Sequence, residues 1–233
     1  MRVLHADSIR KTFTGGNVLN DIFISCDEGE IIGLLGRNGS GKSTLLKIIF
    51  GSLKAENKFV SVDQKKVGSL YSTRYLIKYL PQEHYMPTHK KIGETISCFC
   101  PDDTEIRNHH FVKPFLGKRV HQLSGGEKRM IEILLMVYSN AKILLLDEPF
   151  NSISPINIDE IKTIIKHHSK HRAIVITDHD YRNVISMASK LVLMQNGNTK
   201  VIKEWTELVD LGYLPESAKE LLMNSGSFDD RNG

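Results

Sequence analysis

The chain has 233 residues, of which 40% are hydrophobic and 25% charged, and its net charge is +4. This length and apolar content are ample for a sizeable core and suit one large α/β domain, or a core domain with a subdomain. Charges of both signs are interspersed, which indicates an ordinary solvated surface. No direct nucleic-acid partner is therefore expected.

Three cysteines, Cys26, Cys98 and Cys100, form an odd and sparse set that argues against a disulfide framework and fits a reducing cytosol. Cys98 and Cys100, with His109 and His110 nearby, can be imagined as a metal site. Their spacing matches no familiar zinc pattern, so buried or idle thiols are the default. We expect no signal peptide, and no run of about 18 apolar residues is present to span a membrane.

Strands are predicted for most of the first 35 residues. Residues 3–9 and 19–24 partly alternate between apolar and polar side chains, and a turn is expected at 15–17 between them. Residues 30–35 have the composition of a buried strand, and residues 43–51 that of the helix which follows it.

The middle of the chain is polar and less regular. A short strand is expected at 58–62, and Pro81 ends the segment before it. Prolines interrupt residues 83–121, which makes this stretch the best candidate for an inserted subdomain.

Regular structure resumes in the second half of the chain. The pattern predicts helices at 126–137, 156–166 and 181–188 and strands at 142–146, 173–177 and 191–194. The tail from residue 225 is expected to be disordered.

The segment Gly36-Arg37-Asn38-Gly39-Ser40-Gly41-Lys42-Ser43 has the spacing of a phosphate-binding P-loop. Its glycines let the backbone turn tightly and direct several N–H groups into one concavity. Lys42 can reach the β- and γ-phosphates, and the hydroxyl of Ser43 can ligate Mg²⁺. A strand enters the segment and a helix leaves it with its positive N-terminus toward the phosphates, a context that disfavours a chance match in a flexible linker.

A second motif is an apolar strand that ends in Asp147-Glu148-Pro149. Open α/β sheets bind ligands at the carboxyl ends of their strands. Asp147 would hold Mg²⁺ there, beside Ser43 or through a water, and Glu148 would polarise the water that attacks the γ-phosphate. Two acids at the start of a solvated loop are the alternative, which the P-loop in the same chain disfavours.

The third motif is Leu123-Ser124-Gly125-Gly126-Glu127. Ser124 can cap the following helix, and the glycines let backbone N–H groups approach an anion. By itself this segment is more typical of an ordinary helix start, so its interpretation depends on the other motifs.

The order of these motifs resembles that of the ATP-binding-cassette (ABC) ATPases. A P-loop is followed by Gln82 after a strand, by the Leu-Ser-Gly-Gly-Glu segment, by the Asp147-Glu148 pair, and by His179 after a strand. The resemblance runs from about Ile9 to Gly197. It implies an α/β fold with a P-loop NTPase core, a mostly parallel sheet, an antiparallel β lead-in and a small inserted helical subdomain.

The same resemblance gives domain boundaries. An ABC ATPase domain would span residues 1–224, with its core at 1–82 and 122–224 and the inserted helical subdomain at about 83–121. Residues 225–233 would form the disordered tail.

The resemblance also implies a role for each motif residue. Gln82 would contact Mg²⁺ and the attacking water, Glu148 would be the general base, and His179 would hold the γ-phosphate and that water. Phe13 stands where an aromatic ring stacks on adenine, with a core aromatic as the alternative. The residues expected to cradle the triphosphate are Gly36, Asn38, Gly39, Ser40, Gly41, Lys42, Ser43 and Thr44. The residues expected to bind ATP held by another subunit are Ser124, Gly125 and Gly126.

Two subunits are expected to act together. The P-loop and the Ser-Gly-Gly turn lie far apart in the sequence, and the family closes them on ATP by head-to-tail pairing of two subunits, here a homodimer. The resemblance further implies a polytopic membrane permease supplied by another chain. The protein would then be cytoplasmic and peripheral on the inner face of the cell membrane through that partner.

The chain departs from the family pattern in two places. Ser154 stands where an aspartate is common at the subunit interface, so a neutral hydroxyl would weaken communication between the two sites. The stretch from Gln82 to Ser124 is short, and its apolar side chains either form a small local core, which is favoured, or line a groove for a partner. The short sequence segments around Gln82, Glu148 and His179 look most like those of ATPases in lipopolysaccharide export and branched-chain amino-acid transport.

The leading hypothesis is thus an ATP-hydrolysing subunit that dimerises on ATP and drives a separate membrane permease. One alternative is a soluble ABC ATPase that powers a non-transport assembly, such as iron–sulfur cluster construction. Another is a slow nucleotide-gated interaction switch, which the serine at position 154 permits.

Overall fold

The computed structural model describes residues 2–13, 18–70, 75–100 and 104–218, without the side chains of Arg2 and Val18. The turn predicted at 15–17 and the tail predicted from residue 225 lie outside the described residues. The strands of the described part are β1 (Arg2–Thr12), β2 (Val18–Asp27), β3 (Ile31–Leu35), β4 (Asn57–Val62), β5 (Lys65–Lys66), β6 (Ile77–Leu80), β7 (Ile143–Asp147), β8 (Ala173–Thr177), β9 (Lys190–Gln195) and β10 (Asn198–Ile202).

The helices alternate with these strands. They are α1 (Lys42–Phe50), α2 (Ile92–Phe99), α3 (Thr104–Asn108), α4 (Gly125–Val137), α5 (Pro155–Ser169), α6 (Tyr181–Ile185) and α7 (Thr206–Asp210), with 3₁₀ turns at Lys113–Phe115 and Val120–Gln122. Across the described ranges, the helices are too short or too polar to cross a bilayer.

Two sheets organise the fold. The larger sheet has the strand order β10-β9-β3-β8-β7-β6 and is parallel except for β10, which pairs antiparallel with β9. The smaller sheet, of order β2-β1-β4-β5, is antiparallel. This arrangement confirms the expected α/β class with a mostly parallel sheet and an antiparallel β lead-in.

The central strands are apolar throughout because both faces of the larger sheet are covered. On β7, Leu144 and Leu146 pack in one cluster with helices α4 and α5, whereas Ile143 and Leu145 pack in another with α1 and the smaller sheet. Successive side chains of a strand point to opposite faces, so one apolar run serves both cores. Each such side chain, fully buried, contributes about 1.5–3 kcal/mol. These two cores hold the carboxyl ends of β3, β8 and β7 side by side.

The stretch at 83–121 contains α2, α3 and the 3₁₀ turn at Lys113–Phe115, and the 3₁₀ turn at Val120–Gln122 begins at its end. It closes on itself, since the N–H groups of Ile92 and Gly93 donate to the carbonyls of Lys118 and Leu116 at 3.0 Å. Met86 and Ile92 are buried, and the partly buried aromatics of this stretch pack against the same core cluster as α4. These side chains therefore belong to, or pack against, the core that covers one face of the larger sheet.

One predicted helix is shorter than expected. Helix α6 ends at Ile185, and the N–H of Met187 donates to the carbonyl of Val184 at 3.1 Å in a tighter turn. The hydroxyl of Ser186 also donates to the carbonyl of Asn183 at 2.9 Å, and such local bonds compete with helix continuation.

Candidate functional site

An open cavity of about 1160 Å³ brings together residues that follow four parallel strands. The loop 37–44 follows β3, Gln82 follows β6, Glu148 follows β7 and His179 follows β8. Phe13 also lines this cavity. Residues separated by up to 142 positions in the sequence, from Arg37 to His179, therefore meet at one edge of the sheet, as expected for parallel strands.

The glycines of the loop are required by its geometry. A Cβ at Gly36 would lie 2.6 Å from the Oγ of Ser40 and 2.7 Å from the carbonyl oxygen of Met194. Gly41 has a φ of 102°, in the left-handed region, and a Cβ there would lie 2.6 Å from the side chain of Leu19. The tight curvature of the loop thus excludes other residue types at these two positions.

Two polar groups of the loop suit an anion. The Oγ of Ser40 is buried and has no hydrogen-bond partner among the described residues, an arrangement that is unfavourable unless a ligand supplies the partner. The Nζ of Lys42 donates to the carbonyl oxygens of Gly36 at 2.7 Å and Arg37 at 3.2 Å, which holds the ammonium group against the loop. Burial lowers the pKa of Lys42, and the carboxylates of Glu148 and Asp147 oppose this shift.

Asp147 accepts hydrogen bonds at both carboxylate oxygens. The Oγ of Ser43 donates to Oδ1 at 3.0 Å, and the hydroxyl of Tyr79 donates to Oδ2 at 2.8 Å. Gln82 lies beyond Ser43, with 3.4 Å between its Nε2 and the Oγ of Ser43. Burial raises the pKa of Asp147, and the two hydrogen bonds act against that rise. A hydroxyl, a carboxylate and an amide thus converge, a donor set typical of a Mg²⁺ site.

Glu148 occupies an unusual backbone conformation directly after β7. Its φ is 49°, in the left-handed region that non-glycine residues rarely adopt, and its N–H donates to the carbonyl of Thr177 at 2.9 Å. Strain of this kind, about 1–3 kcal/mol, persists where the surroundings fix the backbone and is common at active sites. Glu148 is among the residues that line the cavity.

Asp178 is a site residue that the sequence analysis did not single out. Its carboxylate is buried, and its Oδ1 lies 3.2 Å from Nδ1 of His179 and accepts from the N–H of Asp180 at 3.0 Å. Its Oδ2 accepts from the N–H of Phe150 at 3.3 Å. Burial raises the pKa of Asp178, partly offset by these donors and the nearby His179. One carboxylate thus connects His179 with the loop that follows Glu148.

Arg129, on α4, is a second residue near the site that the sequence patterns did not indicate. Its guanidinium donates to four backbone carbonyls, those of Pro81, Asp147, Glu148 and Pro149, at 2.7 to 3.2 Å. The side chain is 1% exposed, an unusual environment for arginine. The only signal in the sequence was a charged residue among the apolar positions of a helix.

The turn Ser124–Gly126 lies at the start of α4 and is not among the residues that line the described cavity. The Oγ of Ser124 accepts from the N–H of Glu127 at 3.3 Å, and the N–H of Ser124 donates to Oε2 of Glu127 at 2.7 Å, which forms a capping box. A Cβ at Gly126 would lie 2.6 Å from the carbonyl oxygen of Ser152. Ser124 and Gly125 are exposed, so this turn presents a second polar surface to other molecules.

Two further predicted positions lie at the edges of the site. Phe13 is 36% exposed, and the Nζ of Lys11 lies 5.4 Å from its ring centroid. Ser154 is exposed and occupies the N-cap position of α5 without a side-chain capping bond.

Comparison with known proteins places this arrangement in a family. Residues 19–151 match the family model described as ABC transporter. The chain is 29% identical over 214 residues to the lipopolysaccharide export system ATP-binding protein LptB of Escherichia coli (strain K12), with 85% of this chain and 89% of that protein covered. It is also 29% identical over 209 residues to a probable ABC transporter ATP-binding protein of Azorhizobium caulinodans, covering 83% of this chain and 74% of the relative.

Solved structures with the same fold include an ATP-binding subunit of an ABC transporter, with a TM-score of 0.77 at 20% identity over 95% of this chain and 98% of that one. A nucleotide-free ATP-binding cassette from an ABC transporter has a TM-score of 0.74 at 21% identity, covering 94% and 98%. The family model alone covers more than half of the chain. The chain therefore belongs to the ABC transporter family, as one of its ATP-binding, ATP-hydrolysing subunits.

Proposed function

We propose that two copies of this subunit close on Mg²⁺-bound ATP and use its hydrolysis to drive a membrane permease formed by another chain. The observation that carries this proposal is the convergence of Lys42, Ser43, Asp147, Glu148 and His179 at one edge of the parallel sheet. The turn at Ser124 lies outside the lining of that cavity.

ATP would be bound mainly through its phosphates. The loop 36–44 offers backbone N–H groups, the ammonium of Lys42 and the unpartnered hydroxyl of Ser40. The N-terminus of α1 adds the positive end of a helix dipole. The ring of Phe13 would stack on the base at the exposed side of the cavity.

The group formed by Ser43, Asp147 and Gln82 would hold Mg²⁺. The separation of 3.0 Å between Ser43 Oγ and Asp147 Oδ1 places two oxygen donors side by side. When bound, the ion neutralises charge on the β- and γ-phosphate oxygens. Tyr79 fixes the rotation of the Asp147 carboxylate through its hydroxyl.

The residues around the γ-phosphate suit phosphoryl transfer to water, in which position and electrostatics provide most of the catalysis. Glu148 would accept a proton from the attacking water. His179, oriented by the carboxylate of Asp178, would hold the water and the γ-phosphate. Arg129 would act indirectly by fixing the backbone on either side of Glu148.

The position of the Ser124 turn supports the proposed dimerisation. The P-loop would grip a triphosphate from one side, and the hydroxyl of Ser124 with the backbone N–H groups of Gly125 and Gly126 would offer donors for the other side. Because each copy has one P-loop and one such turn, two copies in head-to-tail arrangement would complete two sites. ATP hydrolysis would then remove the shared contacts and loosen the pair.

The decisive experiment uses Glu148→Gln, which removes the base but preserves the shape of the side chain. Light scattering after size exclusion should show this variant as a dimer with ATP and Mg²⁺ and as a monomer without nucleotide. Phosphate release should fall about a thousandfold. Glu28→Gln, the same exchange on an exposed turn, is the matched control and should behave like the wild type. A Glu148→Gln protein that stays monomeric with ATP and hydrolyses it normally would refute the proposal.

The membrane partner is tested separately. We propose that the subunit lies on the inner face of the membrane and that its stretch at 83–121 contacts the permease. Relatives of this chain include a lipopolysaccharide export ATPase, but the chemistry of the cargo belongs to the partner. Tagged protein should co-purify with a polytopic protein in detergent. Recovery of a soluble scaffold assembly in place of such a protein would favour a non-transport role.

A further inference from the structure

A cluster of metal-ligating side chains lies away from the ATP site, between the stretch at 83–121 and helix α5. His109 and His110 follow α3, and Glu160 lies on α5. One ligand atom of each residue lies within 4.8 Å of the others, and the Nε2 of His110 is 3.1 Å from Oε1 of Glu160. The cluster includes neither Cys98 nor Cys100, so it differs from the metal site first imagined from the sequence.

The rings of the two histidines are already arranged together. They stack with 4.7 Å between centroids and 24° between planes. His109 is half-buried, and its ring also packs against Phe111 at 5.5 Å and Tyr138 at 6.3 Å between centroids. These contacts restrict the orientation of His109, whereas His110 and Glu160 are exposed and can adjust their rotamers at small cost.

His109 has a weak hydrogen bond at one ring nitrogen. The N–H of Phe111 donates to Nδ1 of His109 at 3.3 Å. Ligation at Nδ1 would displace this long hydrogen bond. Ligation at Nε2 would place the ring proton on Nδ1, which could then no longer accept it, so either mode gives up one weak hydrogen bond.

We propose that His109, His110 and Glu160 form a binding site for a divalent transition-metal ion of the zinc class. Two imidazoles and one carboxylate suit Zn²⁺, whose fourth position would be filled by water. In a tetrahedral site with metal–nitrogen bonds of about 2.0–2.1 Å, ligand atoms lie roughly 3.3 Å apart. The pair formed by His110 and Glu160 already has this spacing, and rotamer adjustment of these two exposed side chains would bring them onto an ion bound at His109.

The position of the ligands gives the site a structural consequence. Two of the ligands belong to the stretch at 83–121, and the third belongs to α5. Helix α5 begins after the loop that follows Glu148, with Ser154 as its N-cap. A bound ion would fasten these two parts of the chain to each other. It would also stabilise the folded state, because the three ligands come together only on folding. This inference does not depend on ATP binding or on dimerisation.

Zinc titration of the nucleotide-free full chain tests the site. Calorimetry in zinc-free buffer should show one ion bound per chain, and the melting temperature should rise with added Zn²⁺. His110→Ala and Glu160→Gln should each weaken binding by more than about tenfold. His171→Ala, at another exposed histidine, and Asp159→Asn, the neighbouring acid on α5, are matched controls and should bind like the wild type.

Cobalt provides an independent readout, since Co²⁺ with nitrogen and oxygen ligands in a tetrahedral site absorbs strongly in the visible range. The wild type should develop this band and His110→Ala should not. ATPase activity in zinc-free magnesium buffer should be the same in both, which shows that the variant is folded. Absence of zinc binding at about 1,000-fold molar excess, roughly millimolar ion for micromolar protein, would overturn the proposal. So would equal binding by His110→Ala, Glu160→Gln and the wild type.

Discussion

Arg129 and Glu148 are joined by a hydrogen bond in which the guanidinium Nη2 donates to the backbone carbonyl oxygen of Glu148 at 2.8 Å. The same nitrogen donates to the carbonyl of Asp147 at 3.0 Å. Arg129 lies 3.6 Å from the carboxylate of Glu132, and both side chains are almost fully buried. A buried ion pair on α4 therefore fixes the backbone that carries the proposed metal ligand and the proposed base.

Replacement of Arg129 by methionine should destabilise the protein by about 3–5 kcal/mol, because it leaves Glu132 buried without its guanidinium partner. Urea unfolding at neutral pH measures this change. Arg182→Met is the matched control, since that arginine is 69% exposed and forms a surface ion pair with Asp180, and its effect should stay below about 1 kcal/mol. Equal stabilities of the two variants would contradict the role given to Arg129.

Replacement of Lys42 by alanine should separate function from stability. Loss of the ammonium group should slow ATP hydrolysis by about a thousandfold. The free energy of unfolding should change by less than about 1.5 kcal/mol, because the lost hydrogen bonds are offset by relief of the desolvation that lowers the pKa of Lys42.

Steady-state phosphate release and urea unfolding together check the Lys42 prediction, with Lys54→Ala at an exposed position as the control. A strongly destabilised Lys42→Ala protein would show that the lysine is mainly structural.

The contact between Asp178 and His179 predicts non-additive mutations. Asp178→Asn should lower kcat about 10- to 100-fold, since it weakens one or two charge-assisted hydrogen bonds that orient the ring and the loop. If Asp178 acts largely through His179, the double variant Asp178→Asn/His179→Ala should be little worse than His179→Ala alone. Fully additive losses in a double-mutant cycle would instead assign Asp178 an independent role.

A separate prediction concerns acid stability. Hydrogen bonds from Lys200 and from the N–H groups of Lys203 and Glu204 lower the pKa of Glu207 to about 2. A lowered folded pKa stabilises the protein above the unfolded value of about 4.3, and this contribution is lost as the pH falls toward 2. Glu207→Gln should therefore lose stability at pH 7 and show a smaller difference between pH 7 and pH 3.

Melting temperatures at the two pH values test the Glu207 prediction, and Asp210→Asn, on the same helix, controls for the loss of an acid. The prediction fails if Glu207→Gln shows the same pH dependence as the wild type.

Local sequence was sufficient where short-range physics decides the structure. The strand, the glycine loop and helix α1 were predicted together because tight turns need glycine and buried parallel strands are apolar on both faces. The cap at Ser124 was predicted for a similar local reason. The exact end of α6 was not, because local side-chain hydrogen bonds at Ser186 compete with the helix.

The sequence by itself therefore determined the fold class and the residue types that a phosphate site requires, since both are written in spacing and periodicity. Only the tertiary structure decided which distant side chains support them. Arg129, Asp178 and Tyr79 act through contacts made when separate elements pack, and the cluster of His109 with Glu160 arises in the same way. Such contacts depend on the three-dimensional meeting of elements, which no local pattern encodes.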